Sequence, residues 1–181
     1  MSMLGMESPA SALNCTIRQR RDSDIESCVS VLGRVQKQDG YPVAVADFRA
    51  FLTPKTLEQA WVAEHNGQIV GHISVSAAQV GDVAVDLWRR RHPDDHIAAL
   101  QRLFLAPEYR GCGLASKLIE NAVHWSHQKG YRHLVLYALR KDLKAARLYD
   151  RLGWEHFDTG MFAYGDGQEM EALCFSSPGP R

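Results

Sequence analysis

The sequence lacks several features that mark specialised classes of protein. Its cysteines lie far apart and form no CxxC pair; they are Cys15, Cys28, Cys112 and Cys174. Scattered thiols disfavour a disulfide framework or a structural zinc site, and they indicate a protein of the reducing cytoplasm. No apolar run is long enough to span a bilayer. The start of the chain also lacks the basic residues and apolar core of a signal peptide.

The formal net charge is zero, because 21 Lys and Arg residues balance 21 Asp and Glu residues. A neutral protein gains little from long-range attraction to nucleic acid or to an anionic membrane, so we expect neither as a partner. The one basic run, residues 89–91, is followed by a proline and two aspartates, which favours a solvated loop over a polyanion site. The pairs His92/His96 and His124/His127 have no third ligand nearby, so we expect no metal.

The chain is long enough for one domain with a sizeable core, and no repeat or long linker divides it. Residues 1–14 are rich in Ser, Met, Ala and Gly, which predicts a flexible N-terminal tail. The domain is predicted to span residues 15–176, and residues 177–181 are predicted to form a C-terminal tail.

Hydrophobic periodicity predicts alternating strands and helices. In the first half it predicts a strand at residues 16–20, a helix from Ile25 to Gly40, a short helix at 45–52, a hairpin about Asn66-Gly67 and an irregular polar segment at 79–96. In the second half it predicts a strand at 97–105, a helix at 113–128, a strand at 133–139, a helix from Asp142 to Gly153 and an antiparallel pair at 154–158 and 170–175. The expected fold is a single α/β (α+β) domain. Its mixed, mostly antiparallel central sheet of about six or seven strands carries helices on both faces.

Residues 100–116 carry the strongest chemical signal. An apolar strand stops at Pro107, and a glycine-bearing turn then leads into an amphipathic helix. The amides at a helix start, with the macrodipole behind them, form an anion site that most often takes phosphate. The turn is not a P-loop, because GxxxxGK[ST] is absent. It also fits a dinucleotide fingerprint poorly, because Ser116 stands where the third glycine belongs.

Two motifs occur in order around this turn. Residues 110–115, Arg-Gly-Cys-Gly-Leu-Ala, meet the pattern [QR]xxGx[GA] directly after the apolar strand. Residues 142–154 are similar to NxxAxxLYxxLGF, with Asp142 in place of Asn and Trp154 in place of Phe; the shared positions are Ala145, Leu148, Tyr149, Leu152 and Gly153. Together the motifs resemble the coenzyme A pyrophosphate loop and the downstream signature of the GNAT N-acetyltransferase superfamily.

The resemblance implies acetyl-CoA as the co-substrate. Backbone groups around Leu103, Phe104 and Leu105 would pair with the pantetheine amides like an added strand. The amides of the turn would hold the pyrophosphate; its residues are Arg110, Gly111, Cys112, Gly113, Leu114, Ala115 and Ser116. Arg110 could instead simply face solvent. Asp142 could contact the pantetheine arm through a water or could only cap its helix.

The resemblance also implies that an acetyl group moves to a primary amine by direct attack in a ternary complex. Tyr149 matches the family's tyrosine acid, and a phenol with a pKa of about 10 can protonate a departing thiolate. The alternative for Tyr149 is an aromatic packed on the inner face of its helix.

The general base stays open at this point. Some branches of the superfamily use a Glu on the strand before the turn, where this chain has Gln101 and Arg102. The branch that acetylates protein N-termini often has a Glu where this chain has Tyr137. A water relay, His96 or Asp95 are the alternatives.

The acceptor is expected to be a small-molecule or peptide amine. Its pocket should be lined by residues 35–52 and 79–96, where Asp39, Asp47 and Asp82 could draw a cationic amine or could be solvated. A protein N-terminus as acceptor, another acyl donor, and a non-catalytic acyl-CoA-binding module are the remaining alternatives. Pairing through the final strands, which is common in the superfamily, would give a homodimer.

Overall fold

Seven strands form one open sheet in residues 14–181, the part of the chain that the computed structural model describes. They are β1 Thr16–Gln19, β2 Leu57–His65, β3 Gln68–Ala77, β4 Ile97–Leu105, β5 His133–Leu139, β6 Glu155–Tyr164 and β7 Gln168–Ser176. Their spatial order is β1-β2-β3-β4-β5-β7-β6. Only β4 and β5 pair in parallel, and the other neighbours are antiparallel. The mixed, mostly antiparallel sheet is therefore confirmed, whereas the tail expected at residues 1–14 lies outside the described residues apart from Asn14.

Five α-helices connect these strands in the same described range: α1 Ile25–Asp39, α2 Phe48–Leu52, α3 Val83–Arg91, α4 Leu114–Gln128 and α5 Leu143–Arg151. α4 follows the predicted amphipathic stripe, since Leu114, Leu118, Ile119 and Ala122 are all buried. α1 ends at Gly40 in the left-handed region. No helix among residues 14–181 is long and apolar enough to cross a membrane.

Helices cover both faces of the sheet, as the sequence predicts. On one face α4 packs Trp125 edge-on against Trp61, with ring centroids 5.5 Å apart. Trp61 pairs with Ile73 of β3, and successive residues of a strand point to opposite faces. His72, which precedes Ile73, therefore faces α1 and α2 on the other side of the sheet. There it lies beside Arg20, which also donates to the carbonyl of Leu52 in α2. α3 lies on this second face too, with a buried cluster of its own: Ala84, Val85, Trp88, Ile97, Ala99, Val135 and Cys174.

The prediction of an irregular segment at residues 79–96 is wrong, because α3 occupies Val83–Arg91. Asp82 begins this helix by accepting hydrogen bonds from the amides of Ala84 and Val85 at 3.0 and 3.1 Å. The arginines at 89–91 accordingly lie in the last turn of a helix and not in a loop. Arg91 pairs with Asp158 of β6 at 2.7 Å.

Other boundaries differ by a few residues. α2 begins at Phe48 and not at 45, because the carboxylate of Asp47 accepts from the amide of Ala50 at 3.0 Å and caps the helix there. β6 and β7 extend well beyond the predicted pair and meet in a hairpin at residues 165–167. Ser177, assigned by prediction to the C-terminal tail, is buried, and its amide donates to the carbonyl of Leu134 at 2.8 Å.

Candidate active site

The parallel strands β4 and β5 separate from each other partway along their length. They share three residue pairs, Ile97–His133, Ala98–Leu134 and Ala99–Val135. Beyond these pairs β4 continues to Leu105 and stays bonded to β3, while β5 continues to Leu139 and stays bonded to β7. The sheet therefore opens into a wedge, bounded by residues 100–105 of β4 and 136–139 of β5. The β4 edge of the wedge faces no strand among the described residues.

A β-bulge in β4 lies on the wall of this wedge. Two β4 residues, Arg102 and Leu103, oppose the single residue Ile73 of β3, and Arg102 has a φ of 56°. Side chains of β3 bind both carbonyls at the bulge. Ser74 Oγ donates to the carbonyl of Gln101 at 3.1 Å, and His72 Nδ1 donates to that of Arg102 at 2.8 Å. The bulge is thus held from the β3 side.

His72 is fully buried and neutral. Its Nδ1 must carry the proton, because a carbonyl only accepts, and its Nε2 accepts from the Arg20 guanidinium at 2.9 Å. Its ring stacks on Phe104, with centroids 5.0 Å apart. Burial, opposed only in part by the bond to the Arg102 carbonyl, lowers the pKa of His72 to about 3.

The turn after β4 presents backbone amides at the start of α4. Gly113 is the N-cap in the left-handed region, with φ 83°, and no side chain caps the helix. The amides of Leu114, Ala115 and Ser116 accordingly have no acceptor within the helix. Gly111 has a φ of 75°, and a Cβ on either glycine would meet nothing within 4 Å. Glycine is therefore required here by backbone conformation and not by close packing.

Most of the other residues that the resemblance assigns to coenzyme A are held by the protein through their side chains. Phe104, Leu105 and Leu114 are buried in the core, so they could contact a ligand only through backbone groups. Arg110 pairs with Asp39 of α1 at 2.5 Å. Cys112 Sγ donates to the carbonyl of Tyr109 at 2.8 Å. Leu103 is partly buried against the core.

Tyr149 lies in α5, packed against Trp154 and Phe175 with ring centroids 5.2 and 5.7 Å away. Burial raises the pKa of its phenol well above the usual value, and the nearby Tyr41 and Asp142 add to this shift. Asp142 caps α5 by accepting from the amide of Ala145 at 3.2 Å. The ring of Tyr149 is thus packed in the core. Its hydroxyl has no hydrogen-bond partner among residues 14–181, so the phenol proton is available for transfer.

Four aromatic rings and one arginine, none of them part of either motif, gather on the α1–α3 side of the wedge. The guanidinium of Arg102 lies 4.6 Å above the ring of Phe51, and its Nε donates to the Phe51 carbonyl at 2.5 Å. Tyr41 packs edge-on against Phe51 at 6.3 Å, and across the wedge Tyr137 stacks on Phe162 at 5.4 Å. We name Tyr41, Phe51, Tyr137 and Phe162 the aromatic cluster. No local sequence signal marks it, because its members come from four separate elements or loops.

One member of the aromatic cluster, Tyr41, lies near enough to Tyr149 to influence its phenol electrostatically. Tyr41 contributes to the raised pKa of Tyr149, and Asp142 contributes to the raised pKa of Tyr41, with burial the main cause at both phenols. Burial also raises the pKa of Tyr137 to about 12, with Asp82 adding to the rise. All three phenols are therefore protonated at neutral pH.

The three aspartates named for the acceptor pocket have different surroundings. Asp39 pairs with Arg110, and Asp47 caps α2. Only Asp82 reaches the wedge, where it accepts from Gln101 Nε2 at 3.2 Å while capping α3. Burial raises the pKa of Asp82 despite the amide donors that oppose the shift.

The two alternatives for a general base lie elsewhere. His96 Nδ1 bonds the carbonyl of Gly130 at 3.1 Å, and Asp95 accepts from Trp88 Nε1 at 3.2 Å. Both precede the paired start of β4. At about 3.3 Å per residue they are roughly 20 Å along the strand from Arg102. At that distance neither residue reaches the bulge.

Comparison with known proteins agrees with this geometry. Residues 30–154 match the acetyltransferase (GNAT) family. A protein of Escherichia coli K12 described as uncharacterized N-acetyltransferase YjgM is 30% identical over 105 residues, which is 58% of this chain and 56% of that protein. The chain spans about half, or less, of the length of the curated relatives that it matches first.

Solved structures share the fold. A GNAT-family acetyltransferase from Streptococcus pneumoniae superposes with a TM-score of 0.66 at 21% identity, covering 90% of this chain and 98% of that one. Arabidopsis thaliana NAA60 in complex with acetyl-CoA superposes with a TM-score of 0.66 at 18% identity, covering 90% and 97%. With a sheet that opens after Ala99, a glycine turn leading into α4 and a family match over most of its length, the chain belongs to the acetyltransferase (GNAT) family.

Proposed function

We propose that this protein is an acetyl-CoA-dependent N-acetyltransferase that moves an acetyl group to a primary amine by direct attack in a ternary complex. One observation carries the proposal: β4 leaves β5 after Ala99 and then leads, through the glycine turn, into the uncapped start of α4. A strand edge without a strand partner and a helix start with unbonded amides suit the two polar parts of coenzyme A, its amide-bearing arm and its diphosphate.

Each part of that ligand has a counterpart among the residues of this chain. The backbone around Leu103, Phe104 and Leu105 would pair with the pantetheine amides along the wedge, because the side chains of Phe104 and Leu105 are already committed to the core. The amides of residues 110–116 would bind the pyrophosphate, and the α4 macrodipole favours the negative charge there. Asp142, which caps α5, would reach the pantetheine arm only through a water.

Acetyl-CoA supplies the acetyl group as a thioester. The acceptor nitrogen bonds to the thioester carbon, the carbon–sulfur bond breaks, and Tyr149 donates its proton to the departing sulfur. The nitrogen gives up its own proton to water, and solvent returns a proton to Tyr149. Because burial raises its pKa, Tyr149 holds its proton at every pH near neutrality, as an acid requires.

The cysteines support a cytoplasmic location as part of the proposal. Cys15, Cys28, Cys112 and Cys174 are unpaired. Burial raises the pKa of Cys28 to about 11, so this thiol stays protonated and unreactive. Reduced cysteines favour the cytoplasm as the compartment in which the protein works.

Substitution of Tyr149 by Phe tests the proposal. We expect kcat, measured by release of the CoA thiol over a panel of amines, to fall about 100-fold to 10,000-fold, the usual contribution of a positioned acid. Acetyl-CoA should raise the melting temperature of Tyr149→Phe as much as that of the wild type. Tyr164→Phe, at the far end of β6, is the matched control and should keep full activity.

Two results would contradict the proposal in different ways. If Tyr149→Phe keeps the wild-type rate at every pH, Tyr149 is not the acid. If acetyl-CoA stabilises the wild type but no amine in a broad panel releases CoA, the chain binds acyl-CoA without catalysis.

A further inference from the structure

Arg102 is a partly buried cation without a carboxylate partner in the described part of the chain. Its Nε donates to the Phe51 carbonyl at 2.5 Å, its Nη1 donates to Gln101 Oε1, and its guanidinium lies over the Phe51 ring. No salt bridge within residues 14–181 includes it. Two of its five N–H groups are thereby used, and the other three have no acceptor among residues 14–181.

The carboxylate of Asp82 is separated from Arg102 by the side-chain amide of Gln101. Gln101 accepts from Arg102 through Oε1 and donates to Asp82 through Nε2 at 3.2 Å. The second oxygen of Asp82 accepts from the amides of Ala84 and Val85 and starts α3. Asp82 is therefore fixed as a helix cap and does not pair with the arginine.

A second arginine without a salt bridge in residues 14–181 adds positive charge on this side of the wedge. Arg20 donates to the Leu52 carbonyl at 2.8 Å and to His72 Nε2 at 2.9 Å, and it forms no salt bridge among the described residues. His72, bonded to both the Arg20 guanidinium and the Arg102 carbonyl, is neutral. Burial lowers the pKa of both arginines, and the more distant charges of Asp82 at Arg102 and of Asp22 and Asp24 at Arg20 oppose this shift only in part.

We propose that the acceptor carries a carboxylate beside its amine and that Arg102 binds this carboxylate from the β4 bulge. The inference rests on the acetyl-transfer function proposed above and names the class of acceptor for the same site. The planar guanidinium matches a carboxylate through two parallel N–H groups, and a charge-assisted bond in a partly buried site offsets the cost of the unpaired cation. The acceptor class that fits is the free amino acid, with its side chain against the aromatic cluster.

The position of Arg102 suits that role. It lies at the bulge on the wall of the wedge, and its charge lowers the pKa of both Tyr41 and Tyr137, on opposite sides of the opening, against the larger effect of burial. Tyr41 in turn acts on Tyr149. A carboxylate on Arg102 therefore places the adjacent amine within the same few residues that surround the acid. A polyamine would instead bring a second cation against two arginines, so this class of acceptor is disfavoured.

The test compares acceptors that differ only at the carboxylate. Each L-amino acid is assayed beside its amide and its decarboxylated amine, for example L-phenylalanine, L-phenylalaninamide and 2-phenylethylamine, by release of the CoA thiol. The amide is the stricter control, because it removes the charge while leaving the amine next to a carbonyl. We expect kcat/KM for the acid to exceed that for its amide. We also expect Arg102→Gln to lower the acid's value by about tenfold to a hundredfold and the amide's by less than about threefold.

Two further variants separate charge from geometry. Arg102→Lys keeps the charge without the planar fork and should recover only part of the acid's kcat/KM. Arg49→Gln removes an exposed arginine from α2, two residues from Phe51, and should leave the acid-to-amide ratio unchanged. Equal stabilisation of wild type and Arg102→Gln by acetyl-CoA shows that the variant is folded.

A binding measurement keeps the inference distinct from the acetyl-transfer proposal. In the presence of CoA, the acetylated product N-acetyl-L-phenylalanine should raise the melting temperature of the wild type more than its amide does, and this difference should disappear in Arg102→Gln. Such a result without any turnover would support the carboxylate site while overturning acetyl transfer. Turnover or binding that is equal for acids and amides, or is unaffected in Arg102→Gln, would overturn the carboxylate site while leaving acetyl transfer intact.

Discussion

His72 should make the stability of the protein fall steeply in mild acid. The residue is fully buried, and its pKa in the fold is about 3, whereas a solvated histidine has a pKa of about 6.5. Between these values the unfolded chain binds a proton that the folded chain excludes. The contribution of His72 to the free energy of unfolding is therefore fully present above pH 6.5 and is lost as the pH falls towards 3.

The size of the effect follows from proton linkage. With a folded pKa far below 5, the loss at pH 5 is RT ln(1 + 10^1.5), or about 2 kcal/mol, and at pH 7 it is about 0.2 kcal/mol. The bonding pattern agrees with exclusion of the proton. A proton on Nε2 would face the Arg20 guanidinium, so two donors would meet where one hydrogen bond now exists.

Urea unfolding at pH 7, 6 and 5 measures this loss. His72→Gln is the informative variant, because the Gln amide can donate to the Arg102 carbonyl and accept from Arg20 without titrating. We expect the wild type to lose about 2 kcal/mol more than His72→Gln between pH 7 and 5. His124→Gln, at an exposed position of α4, should keep the wild-type slope. Identical slopes for wild type and His72→Gln would refute the buried neutral imidazole.

Two further changes test packing and capping around the site. Gly71→Ala should destabilise the protein by about 1–3 kcal/mol in urea unfolding, because the new Cβ would lie 2.7 Å from a Leu105 methyl and 3.3 Å from the Ala63 Cβ. Gly33→Ala in α1, with Phe48 no nearer than 3.7 Å, should instead stabilise it by about 0.5–1 kcal/mol, and the same sign for both variants would contradict the packing described. Asp142→Ala should lower the free energy of unfolding by about 1 kcal/mol through loss of the α5 cap, while Asp142→Asn should lower it much less. Equal losses of stability in thermal or urea unfolding would show that the cap contributes nothing.

Elements with strong periodicity could be read from the sequence. α4 repeats buried residues along one stripe, β4 is apolar except at Gln101 and Arg102, and Asn66-Gly67 closes its hairpin with positive φ at both residues. The sequence does not predict α3, because only Ala84, Val85 and Trp88 are buried in a helix that also carries three consecutive arginines. The capping role of Asp82 was the available local signal.

The candidate site likewise has one part that the sequence predicts and one part that it does not. The turn at residues 110–116 and the α5 motif are contiguous, so pattern alone located them. The aromatic cluster and Arg102 depend on long-range topology, because Tyr41 and Tyr137 face the same opening only after the sheet has been assembled. The bulge at Arg102 depends on a register shift between β3 and β4. The hydrogen bonds from His72 and Ser74 to the carbonyls at the bulge depend on the same register. No property of an individual residue specifies such a pairing.

The three residue pairs between β4 and β5 also have a mechanical consequence. Within residues 14–181, strand pairing joins the two leaves of the sheet, β1–β4 and β5–β7, at one end only, so the leaves share a spine at Ile97–Ala99. From that spine to Leu105 the β4 wall extends about 20 Å. At that lever length a rotation of about 5° between the leaves moves the open end by nearly 2 Å, roughly the difference between a hydrogen bond and none. A molecule that bonds both walls near the open end would therefore fix the angle between the leaves with far greater leverage than any contact at the spine.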